Sequence, residues 1–190
     1  NHRMQKFNPD GSFATEWGAY GSGDGGLIFP RAAIMAADGR VVVTDSENNR
    51  LSLFAADGTF DSTVVPVSTT LGRPHQTAIA ADGSYWIADT LNNRLIRLDV
   101  TGFTLDVITA SVVSPRGVAV DSAGNIYSAN DGATDSITKY NAAGDLIGTI
   151  VTGGTAQNQV RNPHNLAVEM FGDSEMLLVA DSGNNLVKFF

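Results

Sequence analysis

Four basic or imidazole side chains recur at equivalent places along the chain, each directly after a proline. They are Arg31, His75, Arg116 and His164. A neutral imidazole ligates transition metals and transfers protons near neutral pH, whereas a guanidinium holds a carboxylate through paired hydrogen bonds. If equivalent elements bring these positions together, the residue types predict a metal site at His75 and His164 and an anion site at Arg31 and Arg116. Polar side chains that only face solvent are the alternative interpretation.

The prolines that precede these residues mark an internal repeat. They lie 44, 41 and 48 residues apart, and a glycine follows each proline at the ninth position. Between these marks lie apolar runs of four to six residues bounded by Gly, Asp and Asn, which predict short strands joined by hairpins. No segment has the apolar spacing of an amphipathic helix. The repeat prolines and glycines are Pro30, Pro74, Pro115 and Pro163 with Gly39, Gly83, Gly124 and Gly172.

Four short antiparallel strands in each repeat are the signature of a propeller blade, whose first strand lines a central channel. The sequence therefore predicts an all-β fold, a β-propeller of four-stranded antiparallel blades in one region spanning residues 1–190. We expect the last two strands of a blade, three whole blades and the first three strands of a further blade. The boundaries are 1–29, 30–73, 74–114, 115–162 and 163–190.

This division implies about 17 strands, fewer than the 24 of a six-bladed ring of four-stranded blades. We therefore expect the chain to form part of a six-bladed ring. Open ends expose blade faces and strand edges, which favour aggregation. Further blades or another chain are accordingly expected to cover them.

A six-residue motif follows the second predicted strand of three repeats. The copies read Asp-Ser-Glu-Asn-Asn-Arg at 45–50, Asp-Thr-Leu-Asn-Asn-Arg at 89–94 and Asp-Ser-Gly-Asn-Asn-Leu at 181–186. This text resembles NHL repeats, and Asn1-His2-Arg3 resembles the tail of one more copy. In the third whole blade Asn130 replaces the Asp, and the loop that follows is one residue longer.

The residue types of the motif favour a structural role. An Asp at the end of a strand accepts hydrogen bonds from backbone N–H groups, which we expect to come from the following turn. The Asn pair tolerates left-handed backbone conformations, and the Arg is expected to cover the blade edge or pair with an acidic neighbour. Repetition in several blades suits architecture better than catalysis.

Two of the repeats are also similar to blades of peptidyl-hydroxyglycine amidating lyases. The similar segments are Leu71-Gly72-Arg73-Pro74-His75 and Asn162-Pro163-His164, each followed by a strand that ends in Ala-Asp. This resemblance implies that Pro-His sequences in alternate blades supply zinc ligands, here His75 and His164. The chain departs from that family where a catalytic Tyr and an Arg are expected, at residues 130–134 and at Ser182.

Composition disfavours several classes of function. A net charge of −8 with only three lysines disfavours nucleic acid as a partner. No apolar stretch approaches membrane-spanning length, so no membrane association is expected. The segment Gly21–Gly26 matches G-x-G-x-x-G, but no helix is predicted after it, as dinucleotide binding requires. Few lysines with abundant Gly, Ser, Thr and Asn favour an exported bacterial protein, extracellular or periplasmic.

Two functions remain as alternatives. The first is a non-catalytic binding or scaffold propeller that presents its loops and channel mouth to a protein, peptide or glycan ligand. The second is a zinc-dependent lyase or hydrolase that uses the Pro-His positions. A third Pro-His, two repeats from His75 or His164, would favour the enzyme.

Overall fold

A computed structural model describes residues 1–190 and builds them from short, mostly antiparallel strands. Three single-turn 3₁₀ helices occupy Ser46–Asn48, Thr90–Asn92 and Ser182–Asn184. The strands are β1 (Met4–Phe7), β2 (Phe13–Trp17), β3 (Ala19–Tyr20), β4 (Gly26–Leu27), β5 (Pro30–Met35), β6 (Val41–Asp45), β7 (Arg50–Phe54), β8 (Phe60–Val64), β9 (Pro74–Ile79), β10 (Tyr85–Asp89), β11 (Arg94–Leu98), β12 (Thr104–Ile108), β13 (Pro115–Val120), β14 (Ile126–Asn130), β15 (Ser136–Tyr140), β16 (Leu146–Gly153), β17 (Gln159–Val160), β18 (Pro163–Phe171), β19 (Ser174–Asp181) and β20 (Leu186–Phe189).

The strands form consecutive antiparallel sheets that contact one another through their first strands. Strands β5–β8 and β9–β12 make two four-stranded sheets, and β13–β16 make a third, to which the short β17 adds in parallel. A three-stranded sheet, β18–β20, ends the chain, and the pair β1–β2 begins it. Strand β9 lies between β5 and β13, and β13 lies between β9 and β18. This arrangement is a β-propeller, which confirms the predicted fold class.

The repeat marks have the structural roles that their residue types predict. Each inner strand begins at a repeat proline. Each repeat glycine lies in the following turn with a positive φ, 86°, 84°, 83° and 61° in chain order, a conformation that glycine adopts without steric cost. The 20 strands exceed the expected 17 because β3, β4 and β17 are two-residue strands in the links between blades.

The core lies between the blades, and it consists of three clusters of nine buried residues and a smaller fourth. Strand β10 shows why its sequence is a continuous apolar run. Tyr85 and Ile87 pack toward the preceding blade, whereas Trp86 and Ala88 pack toward the following one. Successive side chains of a strand point to opposite faces of the sheet. A strand in a blade that packs between two neighbouring blades is therefore apolar on both faces.

The last blade has a neighbour on one face only. Val187 and Phe189 on β20 are 62% and 49% exposed, and the Phe171 ring packs edge-on against Phe189 at 5.3 Å between centroids. The expectation that further blades or another chain cover such a face stays a prediction. The structure contains no helix with the length and apolar character needed to cross a membrane.

The motif aspartates are fully buried and bind several donors at once. Asp89 Oδ1 accepts the Gly72 N–H at 2.6 Å, and Oδ2 accepts Asn92 Nδ2 at 2.8 Å and Arg94 Nε at 2.6 Å. The expectation that the backbone donor lies in the following turn was wrong. Asp89 lies opposite Pro74 in the β9–β10 register, so its carboxylate reaches the segment that enters the blade instead. Asp45 repeats this arrangement with Ile28, Asn48 and Arg50.

The second Asn of the motif links consecutive blades. Asn49, Asn93 and Asn185 have φ values of 53°, 50° and 55°, the predicted left-handed conformation. The Asn49 side chain accepts the Arg73 N–H at 2.8 Å, and Asn93 accepts the Ser114 N–H at 2.8 Å. Both donors, Arg73 and Ser114, directly precede the inner strand of the next blade. The turns at Asn49 and Asn93 are therefore each fastened to the next blade.

Candidate functional site

The residues that follow the repeat prolines gather at one mouth of the channel, because all inner strands begin at that end. His75 and His164 come from β9 and β18, and their rings meet edge to face with centroids 5.4 Å apart and planes at 70°. Arg116, from the strand between them, contacts His164 directly. The structure thus brings together three of the four predicted positions.

Arg116 links the imidazole pair to a carboxylate. Its Nη1 donates to His164 Nε2 at 2.6 Å. A guanidinium has no acceptor, so Nε2 accepts and the neutral ring carries its proton on Nδ1. Arg116 Nε forms an ion pair with Asp131, although the two groups are not aligned as a hydrogen bond. Asp131 also accepts Asn162 Nδ2 at 2.8 Å, so the carboxylate is held in place.

His75 is the least satisfied side chain of the group. Both of its ring nitrogens are buried and have no hydrogen-bond partner. Burial lowers the pKa of His75 to about 4, and the charges of the nearby Arg31, His164 and Arg116 act in the same direction, whereas the Arg116 backbone opposes them weakly. Burial and then Arg116 also lower the pKa of His164, with Asp131 opposing them. Both imidazoles are therefore neutral at pH 7.

Arg31 completes the set from the first whole blade. It is exposed on β5 and forms no ion pair within the chain. Strand β5 packs against β9, so Arg31 lies at the same mouth from the blade next to His75, and its charge lowers the pKa values of both His75 and His164. Arg31 is thus a free cation beside two neutral rings.

Two residues that sequence reasoning did not single out position this cluster. The Gln76 carboxamide accepts the N–H groups of Val118 at 3.2 Å and Leu166 at 2.9 Å, and it donates to the Leu166 carbonyl at 2.7 Å. It therefore ties three inner strands together next to the histidines. At Gly117 a Cβ would lie 2.3 Å from the His164 carbonyl oxygen, so only glycine permits this approach of β13 and β18.

The only sequence signal for Gln76 was its place directly after His75 in an inner strand. Asp131 lies in the loop that departs from the motif. This departure marked the loop as unusual but did not indicate that Asp131 pairs with Arg116. Below the mouth, the inner strands surround a cavity of about 320 Å³, which most of the lining residues border with hydrophobic side chains such as Ile34, Val118 and Leu166. The arginine and histidine side chains therefore lie at the mouth, above this cavity.

The predicted zinc site at His75 and His164 stays a prediction, and the residues of this chain do not fit a resident zinc ion by themselves. The described residues contain no group of three or more His, Cys, Asp or Glu side chains arranged to hold a metal. Arg116 already occupies Nε2 of His164, and two guanidiniums beside the rings repel a cation. Zinc sites have at least three protein ligands.

Solved structures of several proteins resemble this chain in fold. A catalytically inactive histidine-to-alanine variant of virginiamycin B lyase from Staphylococcus aureus, solved with quinupristin, gives a TM-score of 0.68 at 15% identity over 100% of this chain and 62% of that chain. A streptogramin B lyase structure gives 0.64 at 16% identity over 100% and 61%. Hydrazine synthase from Kuenenia stuttgartiensis gives 0.59 at 12% identity over 90% and 53%.

The chain shares their propeller fold. It spans about three fifths of the length of the two lyases. At these identities the likeness concerns the fold alone, and the same fold carries different functions. No protein-family model matches the chain, and no curated protein matches it. The resemblance to NHL repeats is therefore not confirmed by a family match.

Proposed function

We propose that the channel mouth binds an anionic ligand through a carboxylate group. The observation that carries the proposal is the unpaired Arg31 at the same mouth as Arg116 and the unsatisfied His75. The chain carries a net charge of −8, yet this mouth combines two guanidiniums and two neutral imidazoles with the carboxylate of Asp131. A peptide C-terminus or an acidic glycan has the required chemistry.

Electrostatics supports the same assignment. The arginines lower the pKa of His75 because a protonated ring would add a third positive charge to the mouth. The negative charge of a bound carboxylate offsets the repulsion between the arginines and a protonated His75 ring. The carboxylate also accepts charge-assisted hydrogen bonds from Arg31, which are stronger than hydrogen bonds between neutral groups. Binding of an anion therefore raises the pKa of His75.

Replacing Arg31 by Gln is expected to weaken binding of a carboxylate probe at least tenfold. The change removes the unpaired cation and leaves the ion pair of Arg116 with Asp131 intact. Calorimetric titration with succinate and citrate at low ionic strength measures the effect. The matched control is Arg40→Gln, which removes an arginine paired with Asp38 and Asp61. Equal affinities of Arg31→Gln and the wild type would contradict the proposal.

Lyase activity is the second candidate function, and the free nitrogens of His75 favour it. A neutral imidazole next to a bound carbonyl compound can remove a proton from the adjacent carbon, while a guanidinium stabilises the developing oxyanion. The bond from the next carbon to its leaving group then breaks as the double bond forms, and the leaving group takes up the proton from the imidazolium. The fold neighbours include lyases, and one of them is inactive as a histidine-to-alanine variant. In this role His75 is the base, and Arg31 and Arg116 hold the substrate.

The lyase candidate predicts time-dependent loss of quinupristin, the compound solved with one neighbour, when it is incubated with the chain. His75→Ala is expected to slow this loss about 100-fold, the lower range of general-base contributions. Chromatography of the parent compound measures the rate, with Arg40→Gln as the unaffected control. If the wild type leaves quinupristin intact, the compound is not a substrate, and the anion-binding proposal stands alone.

A further inference from the structure

The third whole blade lacks a cation that the other blades place beside their motif carboxylates. Arg50 contacts Asp45 at 3.0 Å and Arg94 contacts Asp89 at 2.6 Å, each from the residue opposite the Asp in the β-register. In the last blade Lys188 takes this role and contacts Asp181 at 2.8 Å. The corresponding register partner of Asn130 is Ser136, which is too short and is uncharged.

The cations of the other blades also bind backbone carbonyls of the neighbouring link. Arg50 donates to the carbonyls of Ser22, Gly23 and Gly26 at 2.9–3.0 Å. Arg94 donates to the Thr70 carbonyl at 2.9 Å. These contacts show how a guanidinium fills the space between the third strand and the link.

In the third whole blade this space is an open cleft of about 900 Å³. Its lining is rich in hydroxyl and amide groups. It contains none of the mouth residues Arg31, His75, Arg116 and His164. The residues that matter for binding are Asn130, Asp135, Ser136, Thr138, Thr152 and Arg161. The lining therefore offers several hydrogen-bonding side chains, and the cleft lies where the other blades carry a cationic side chain.

Asp135 supplies a negative charge at this cleft. Its Oδ2 accepts the Asn162 N–H at 2.9 Å, the same inter-blade fastening that Asn49 and Asn93 provide elsewhere. Its Oδ1 is buried without a hydrogen-bond partner. A neutral Asn suffices for the fastening, so the carboxylate here is an extra charge. The blade thus lacks the internal cation and has gained an unpaired carboxylate oxygen.

We propose that this cleft binds the guanidinium group of a ligand, in the place that Arg50 and Arg94 fill in their own blades. Asp135 Oδ1 accepts from the guanidinium, and the surrounding Ser and Thr hydroxyls accept its remaining N–H groups. Arg161 lies exposed in the cleft lining and forms no ion pair. It is placed to bind a carboxylate on the same ligand.

Calorimetric titration of the whole chain with L-arginine and with N-acetyl-L-arginine amide tests the proposal. Both are expected to bind, and L-citrulline, which replaces the guanidinium by a neutral urea, is expected to bind at least tenfold more weakly than L-arginine. Tighter binding of L-arginine than of the amide indicates a free amino acid held also by Arg161. Equal binding indicates the side chain of a peptide. Failure of both probes to bind would overturn the proposal.

Two variants sharpen the test. Asp135→Asn recreates the residue of the other blades and keeps an acceptor for the Asn162 N–H, so the fold is retained while binding falls at least tenfold. Ser136→Arg supplies the missing side chain from the chain itself and is expected to abolish binding. Unchanged affinity in Asp135→Asn would refute the site even if Ser136→Arg fails to fold. Succinate binding at the channel mouth is expected to be the same in Asp135→Asn and the wild type.

Discussion

Replacing Asp89 by Ala is expected to lower the free energy of unfolding by about 3–5 kcal/mol, the cost of breaking a buried ion pair from one side. Asp89 is fully buried, and the Arg94 side chain is only 15% exposed. Without the carboxylate, Arg94, the Asn92 amide and the Gly72 N–H lose their common acceptor. Urea denaturation followed by fluorescence of Trp86, which lies in the same strand, measures the loss.

Two further variants separate this buried network from ordinary surface charge. Asp82→Ala removes the half-exposed partner of Arg97 and the acceptor of the Ser84 N–H and hydroxyl. It is expected to cost about 1–2 kcal/mol, of which about 0–1 kcal/mol belongs to the surface ion pair and about 1 kcal/mol to the turn hydrogen bonds. Asp89→Asn keeps an acceptor for Gly72 and is expected to cost less than Asp89→Ala, because Asn130 already occupies this position in the third blade. Equal, small losses for Asp89→Ala and Asp82→Ala would show that the motif carboxylates are not structural supports.

The free energy of unfolding of the wild type is expected to fall as the pH is lowered from about 6.5 to 4. In His75→Gln the part of this fall that His75 causes is expected to be absent. In the folded protein burial lowers the pKa of His75 from 6.5 to about 4. As the pH falls through this window the unfolded chain takes up the proton first, so the folded state loses stability. The full effect is about 3 kcal/mol, and it is absent above pH 6.5.

The groups that face His75 determine how the experiment is interpreted. Arg31, Arg116 and His164 disfavour its protonation, and His164 itself contributes in the same direction in both proteins. The comparison therefore uses the difference in unfolding free energy between wild type and His75→Gln at each pH. A constant difference from pH 7 to pH 4 would contradict the prediction. NMR titration of the His75 ring gives an independent midpoint, expected near pH 4.

The strand pattern of the repeats was predictable because it depends on neighbouring residues. A proline that begins a strand, a glycine with positive φ in the next turn and alternation along the strand are all local properties. The motif text likewise indicated structural carboxylates that accept hydrogen bonds and left-handed Asn residues. The partner of the Asp was predicted wrongly, since Gly72 lies 17 residues before Asp89 and only the β-register places them together.

The sequence by itself determined the all-β propeller fold, its repeat and the candidate channel-mouth residues. Only the tertiary structure decided what those residues contact. Arg116 and His164 are 48 residues apart, and Gln76 and Leu166 are 90 apart, so no local pattern joins them. The sequence marked the loop before Ser136 only as a departure from the motif, because an absent arginine becomes a site only where packed blades surround the space that it would fill.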